Sequence, residues 1–531
     1  MKYTPTLRWF GKPAVAAITL AVLAGCAPTA PGRAPEPSAL PPIPSVDGAL
    51  AIEVVHPTPR TPFPDVDSAY IYGSVGTGDA RLSINGTSVN VAPNGAFLAY
   101  IPLPESGTYI LEAGANGQID VQTVSYRMPV EDTVAEEEPI ADPDTASAID
   151  SDSVAPTDPP EYIAQSGTIT AGADTLVTGS DVAIGRPTPS GTYKWFLPEG
   201  ARLTVVGEAG EQVEVRLDST TTAWFPAEAI TLAGPPAAGP VVLGVPTFEP
   251  ADEWVDVRIP ANGAPFLVEV RGDTVAVILY GTSAGTSTTI SNPDPLISAA
   301  RLDEAGSGST VLLLELARSP WGYKAFYTEY GDLVFRLRRP PQLDPNNVLS
   351  GLRIAVDAGH PPGGATGPTG LAEAEANLAI SLRLAEQLRA RGAEVLLTRP
   401  DAEPVGLEER VNAATAWNAD LLVSVHNNAF AEGVNPFTNS GTSVYYFHPF
   451  AADLARSLDR EIVEVTGIAD LGAKWSNLAL ARPTWMPSVL TESLFMLIPR
   501  QEAALKNPTF LDRLAAAHLR GIENALRNYD P

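Results

Sequence analysis

Cysteine is nearly missing from this chain. Its 531 residues contain one, Cys26, so no disulfide can form within a single chain. Histidine is scarce as well, with five. Positive charge is in deficit: 34 Lys and Arg stand against 62 Asp and Glu, a formal net charge of −28. That balance argues against nucleic acid or an anionic lipid surface as the main partner. No apolar run is long enough to span a bilayer comfortably; the longest, AVAAITLAVLAG, stops at Gly25.

Proline and glycine, by contrast, are abundant at 51 and 44, which favours linkers and all-β modules, and a chain of this length needs several cores. Lys2, Arg8 and Lys12 precede the apolar run, and LAGC closes it. This arrangement resembles the lipobox of bacterial lipoproteins. It implies a signal peptide over 1–25, cleavage after Gly25 and lipidation of Cys26, and a nucleophilic role for that cysteine is thereby excluded. Ala27, rather than Asp, is the pattern associated with outer-membrane sorting in diderm bacteria. Residues 26–48 are proline-rich and read as an extended tether.

From 49 to 130 short alternating runs (AYIYGSV, ARLSING, AFLAYIPL, TYILEAG) are punctuated by Asn85-Gly86 and Asn94-Gly95, which predicts a small antiparallel β-sandwich. The series resembles bacterial immunoglobulin-like modules. Residues 131–161 hold eleven acids and no Lys or Arg, the composition of an extended linker. The GARLTVVGEAGEQVEVRL pattern within 162–235 resembles an SH3-like barrel. Residues 240–342 give a further β-rich segment, with the runs VDVRIP, FLVEVRG, TVAVILYG, TVLLLELA and DLVFRLRRPP.

After residue 350 the pattern changes. Apolar strands LRIAVDAG, AEVLLTR, DLLVSVH and PSVLTE alternate with helical stretches, so 350–531 is predicted to be an α/β domain with a largely parallel sheet. In EANLAISLRLAEQLRARG, Leu378, Leu382, Ala385 and Leu388 are expected to line the buried face, with Gly392 ending the helix. Ligands bind at the carboxyl edge of such sheets. The polar residues at those strand ends are Asp357 and His360, then Ser424, His426, Asn427 and Asn428, then Glu492. Glu373 and Glu375 open the helix after the Gly/Pro loop. Two histidines with a carboxylate and an open fourth position suit a catalytic zinc ion, and a further carboxylate can move the proton. The set fits amide hydrolysis without a nucleophilic side chain.

Segment 352–528 resembles the zinc-dependent N-acetylmuramoyl-L-alanine amidases. Their DxGH, E-x-x-x-N-L, S-x-H-x-N and v-L-x-E motifs read here as Asp357–His360, Glu373–Leu378, Ser424–Asn428 and Val489–Glu492. The resemblance implies one Zn2+ held by His360, Glu373 and His426, Glu492 as general base, and Asn377 and Asn428 as candidate substrate-binding residues. The E-x-x-x-N spacing selects Glu373 over Glu375. His448 is expected at the surface, and His56 and His518 look incidental. The loop PPGGATGPTG and the run SLFMLIPR depart from the family's usual sequences and bear on groove shape. No insertion between His426 and Glu492 is long enough to form a blocking helix beyond the expected strand and helix, so control would fall to the tether, the β-domains or an unidentified protein activator.

The implied protein is a lipid-anchored hydrolase of peptidoglycan that touches membrane through its anchor alone. In a diderm organism it would sit on the outer membrane facing the periplasm, and otherwise on the outer face of the cell membrane. The competing readings are a non-catalytic wall-binding lipoprotein and a zinc peptidase or deacetylase acting on another amide. Product chemistry separates them.

Overall fold

The computed structural model describes residues 40–129, 162–170, 182–285, 288–290 and 294–529. The signal segment, Cys26, most of the tether and the acidic linker lie outside the described residues.

Residues 53–125 form two antiparallel sheets around one core. The first has the order Glu53–His56, Ser68–Ser74, Ala96–Pro102; the second runs Thr87–Val89, Arg81–Ile84, Thr108–Ala115, Gln118–Ser125. Ile71, Phe97, Tyr109 and Leu111 fill the space between them. Asn85-Gly86 takes positive φ at both residues, 49° and 78°, as a two-residue hairpin turn requires. Asn116-Gly117 does the same.

The described residues of 165–338 are also built of strands, apart from a short 3-10 turn at Ala227–Ala229. A five-stranded sheet from 165–232 lies with a four-stranded and a five-stranded sheet built from 247–338. Trp195, Phe225, Val257, Leu314 and Phe335 belong to one continuous core. The boundary expected near 235–240 therefore divides sheets and does not divide cores.

The last third is α/β. Its six-stranded sheet has the order Glu394–Leu397, Arg353–Ala358, Leu421–Asn428, Ser488–Phe495, Thr442–Tyr446, Asp470–Trp475. The first four are parallel; Thr442–Tyr446 turns antiparallel to Ser488–Phe495. Because side chains alternate along a strand, Ile354 and Val356 face one layer while Ala355 faces the other. The helices Glu373–Ala390, Ala452–Thr466 and Pro508–Arg527 supply residues to the first layer, and Leu407–Ala416 to the second. On Glu373–Ala390 the buried stripe is Ala376, Ile380, Leu384 and Leu388. Leu382, expected inside, is 42 % exposed, because the true stripe runs through Ile380 and Leu384. Gly392, at φ 88°, ends that helix as expected.

Both β regions dock on the sheet, at opposite edges. At the amino edge Arg338 donates to the carbonyl of Ala419 (2.7 Å) and pairs with Asp420 (2.6 Å), and the Asp420 carboxylate in turn accepts from the backbone N–H of Arg353 (2.8 Å). Trp321 donates its indole N–H to the Asp420 carbonyl, and Tyr323 its backbone N–H to Thr484. Both members of the Arg338–Asp420 pair are buried, so removing one strands the other. Arg338→Ala should cost about 3–5 kcal/mol and lower the melting temperature by on the order of ten degrees. Scanning calorimetry that finds the melting temperature unchanged would contradict this account of the junction.

Candidate metal centre

The carboxyl edge of the sheet collects the predicted residues. His360 follows the strand Arg353–Ala358 and sits at φ 55°, a left-handed conformation uncommon for a residue with a side chain. Its Nδ1 donates to the carbonyl of Pro362 (3.0 Å), because a carbonyl only accepts; this leaves Nε2 free to bind a metal. Nε2 lies 3.5 Å from Glu373 Oε2. His426 presents Nδ1 to Glu373 Oε1 at 3.3 Å, and the two imidazole rings stand 5.0 Å apart at 80°. Ligand atoms from His360, Glu373 and His426 all fall within 4.8 Å of one another, and no other such group occurs among the described residues. Two nitrogens and one carboxylate oxygen at this spacing fit the donor set of zinc.

The supporting groups are equally specific. Glu373 Oε2 accepts from the backbone N–H of Ala365 (3.0 Å), and Oε1 from Asn377 (3.0 Å) and the N–H of Asn427 (3.3 Å). Asn377 also donates to the Gly359 carbonyl and accepts from the Asn427 amide. It is wholly buried, so the expectation that it meets substrate is corrected: it orients Glu373. Asn428 is half-buried at the strand end, where its carbonyl accepts from Met496. Gly359 has no alternative, since a Cβ there would lie 2.3 Å from the His426 ring.

Burial by itself would raise Glu373, yet the hydrogen bond and charge of His426, the charge of His360 and the Ala365 N–H hold it at about 2. Burial likewise works against a charged His426, but the Glu373 hydrogen bond and the charges of Glu492, Glu373 and Asp357 push it up to about 9. Glu373 and Glu492 thus stand beside the two imidazoles, while the charge of Asp357 is matched by Arg410. Glu492 is the direct neighbour of His426 across the parallel pair of strands, half-buried rather than sealed. Glu375 is exposed and stands outside the His360–Glu373–His426 cluster.

Asp357 takes no part in binding. It is fully buried, accepting from Ser424 (2.6 Å), Arg410 (3.0 Å) and Thr398. Arg410 also donates to the carbonyls of Ala358 and Pro361, which pins the chain on both sides of His360. His518 is buried behind the Glu492 strand, accepting from the hydroxyl of Thr491, with burial lowering it to about 4. His448 is buried too, at the far edge of the sheet, which corrects the surface role expected for it. The G-T-S-A-G run at 281–285 forms no nucleophile elbow: Ser283 lies in the all-β region and donates to Glu304 (2.9 Å).

The N-terminal sandwich reaches this same edge, and sequence reasoning missed it. Tyr70 donates to the Phe430 carbonyl (2.6 Å), Tyr100 to Gly433 (2.8 Å) and Tyr72 to Thr366 (3.1 Å). Glu432 enters a box of aromatic rings and pairs with His56 at 2.8 Å. Burial first, and then this carboxylate, raise the Tyr70, Tyr72 and Tyr126 hydroxyls. The loops so clasped are the one that follows His426 and the one that joins His360 to Glu373. The clue lay in AYIYGSV and AFLAYIPL, read among the alternating runs although both hold consecutive apolar residues that are buried on both faces, where a free sandwich strand would alternate.

A family model described as N-acetylmuramoyl-L-alanine amidase matches residues 354–524. The sporulation-specific N-acetylmuramoyl-L-alanine amidase of Bacillus subtilis (strain 168) is 32% identical over 183 residues, which cover 33% of this chain and 68% of that protein. The N-acetylmuramoyl-L-alanine amidase CwlM of Bacillus licheniformis is similar to the same extent, 32% over 183 residues, with 33% and 68% covered. Among solved structures, the N-acetylmuramoyl-L-alanine amidase AmiC2 of Nostoc punctiforme is 31% identical over 34% of this chain and 99% of its own, with a TM-score of 0.31.

Asn377→Ala removes one donor to Glu373 and should weaken divalent-metal affinity 10–100-fold with the fold intact. Competition against a chromogenic chelator measures it; unchanged affinity would show that Asn377 does not orient the ligand.

Proposed function

The chain belongs to the N-acetylmuramoyl-L-alanine amidase family through its last third, and from that premise we propose that it uses one zinc ion, held by His360, Glu373 and His426, to hydrolyse peptidoglycan. The bond cut is the amide between the lactyl group of N-acetylmuramic acid and the L-alanine of the stem peptide. The observation that carries the reading is the one such cluster among the described residues, two imidazoles and a carboxylate within 4.8 Å, with Glu492 directly beside His426.

Bound zinc supplies Lewis acidity, polarising the scissile carbonyl and making a coordinated water more acidic. The protein does the rest. The Pro362 carbonyl and the Asn377–Asn427 pair fix the orientation of His360 and Glu373 before substrate arrives. Glu492 takes the proton from the attacking water and passes it to the departing nitrogen of L-alanine. The carbon–nitrogen bond breaks, leaving a carboxylate on the lactyl carbon and an amine on the peptide.

The sequence supports a tether and an anchor around this centre. Cys26 is lipidated, and the immunoglobulin-like and SH3-like modules hold the domain against the wall. In a diderm organism the anchor lies in the outer membrane, facing the periplasm.

Glu492→Gln should retain metal while losing hydrolysis by a factor of roughly 10²–10⁴, read as stem peptides released from sacculi by mass. Full activity in that variant would remove Glu492 from the mechanism. In the parent protein, release should vanish with a chelator and return with zinc; cut cross-links or free acetate in place of L-alanine-terminated peptides would move the assignment to a peptidase or deacetylase. Cys26→Ser should shift the protein from the membrane to the soluble fraction, and a variant that stays with membrane would exclude the lipid anchor.

A further inference from the structure

A cavity of about 450 Å³ opens at the amino edge of the α/β sheet, away from the metal ligands. The strand Thr442–Tyr446 starts beside Glu492, with Ser443 as its neighbour, and ends beside Val489. At about 3.3 Å per residue, Phe447 lies roughly 13 Å from Ser443, so the cavity and the metal centre are separate places.

Its walls are aromatic. Phe196 comes from the central β region, and Phe447 and Trp475 from the α/β domain. Phe447 meets Phe196 edge-on at 6.4 Å and Trp475 at 5.6 Å. Trp475 is 60 % exposed, a large ring left in water at the rim. His448, also in the wall, is neutral: burial lowers it to about 4, and its Nε2 meets the Arg482 carbonyl.

The charges in the wall are unbalanced. Lys194 lies over the Trp195 ring at 4.7 Å and Lys324 over Trp485 at 4.5 Å. Neither ammonium has a carboxylate partner among the described residues, in a chain with 28 excess negative charges. The carboxylate in the wall, Glu269, is engaged by Arg271 at 2.7 Å. Nearby Arg336 and Arg338 are matched by Asp256 and Asp420. Burial and those two guanidiniums lower Lys324, a cost that an arriving anion would offset. A concave pocket with flat apolar walls and two unmatched cations selects a ligand with ring faces and a negative charge.

We infer that this cavity is a second carbohydrate site, which binds the glycan strand after its peptide has been cut away. Pyranose faces lie against Trp475 and Phe447, and the lactyl carboxylate is held by Lys194 and Lys324. The identity of the acid rests on the amidase reading: hydrolysis turns an uncharged lactyl amide into a carboxylate and puts the new amine on the peptide. The cavity thus tells product glycan from uncut glycan by the charge at the lactyl position, next to the ring. A released peptide also carries a carboxylate, but it has no rigid ring faces to lie against Trp475 and Phe447.

The test uses the full chain with a chelator present, so that hydrolysis plays no part. Tryptophan fluorescence and calorimetry follow titration with muramic-acid glycan oligomers bearing free lactyl carboxylates. The comparison ligands are the same oligomers amidated at that position, N-acetylglucosamine oligomers and free stem peptides. The free-carboxylate glycan should bind at least tenfold tighter than any of them. Trp475→Ala and Lys194→Gln, both at exposed positions, should each weaken binding at least tenfold while leaving hydrolysis of a soluble muramyl-peptide unchanged. Equal binding of the amidated glycan, preference for stem peptide, or undiminished binding by Trp475→Ala would overturn the proposal. Loss of binding with hydrolysis intact leaves the amidase assignment standing; binding without hydrolysis by the parent protein does the reverse.

Discussion

Glu373 is a carboxylate taken almost wholly out of water, and the catalytic edge is organised around making that tolerable. An isolated buried carboxylate costs several kcal/mol or takes up a proton. Here two backbone N–H groups, one amide side chain and two imidazoles surround it. Each donor has a structural price of geometry: Ala365 must fold back from the Gly/Pro loop, Asn427 must follow a ligand strand, and Asn377 must lie one helical turn beyond Glu373. The glycine at 359 follows from the same requirement, because the His426 ring occupies the space that a side chain would fill.

A second layer holds this first one. Asp357, Arg410 and Ser424 form a buried network under the strand ends, and Arg410 reaches the carbonyls on either side of His360. Such a network is stable only when every member is matched, so it makes the loop rigid along with the sheet. The ligands are therefore placed before any metal arrives. This is what a site needs if binding energy is to go into catalysis instead of ordering.

Much of the α/β domain was legible in its sequence, because parallel strands carry long apolar runs and ligands collect where those runs stop. His360, His426 and Glu492 stood out as polar residues ending apolar strands, and the i, i+4 spacing separated Glu373 from Glu375. What stayed hidden depends on distant partners. Leu382 and Ile380 are equally apolar on paper; only the packing of the helix decides which one is inside. Asn377 reads as a substrate contact until its amide is seen to be fully used. His448 was read as a surface residue and His56 as incidental because their partners, Arg482 and Glu432, are set by how separate layers meet. The shared core of 165–338 was hidden for the same reason: alternation shows that a strand has a buried face, and does not show whose side chains cover it.

The clasp of Tyr70, Tyr72 and Tyr100 on the loops near Thr366, Phe430 and Gly433 joins residues 294–360 positions apart. Contacts this distant cannot form early, since the entropy of closing so long an interval must be met before they return anything. The sandwich is synthesised before the α/β domain and can complete its own core, but the surface its tyrosines bind comes later in the chain. Until then a face of aromatic rings and a histidine stands without its cover, and the catalytic loops stand without their brace. Order of synthesis thus becomes order of maturation: the chain can acquire its braced active edge only after its α/β domain has folded and the two distant parts have met.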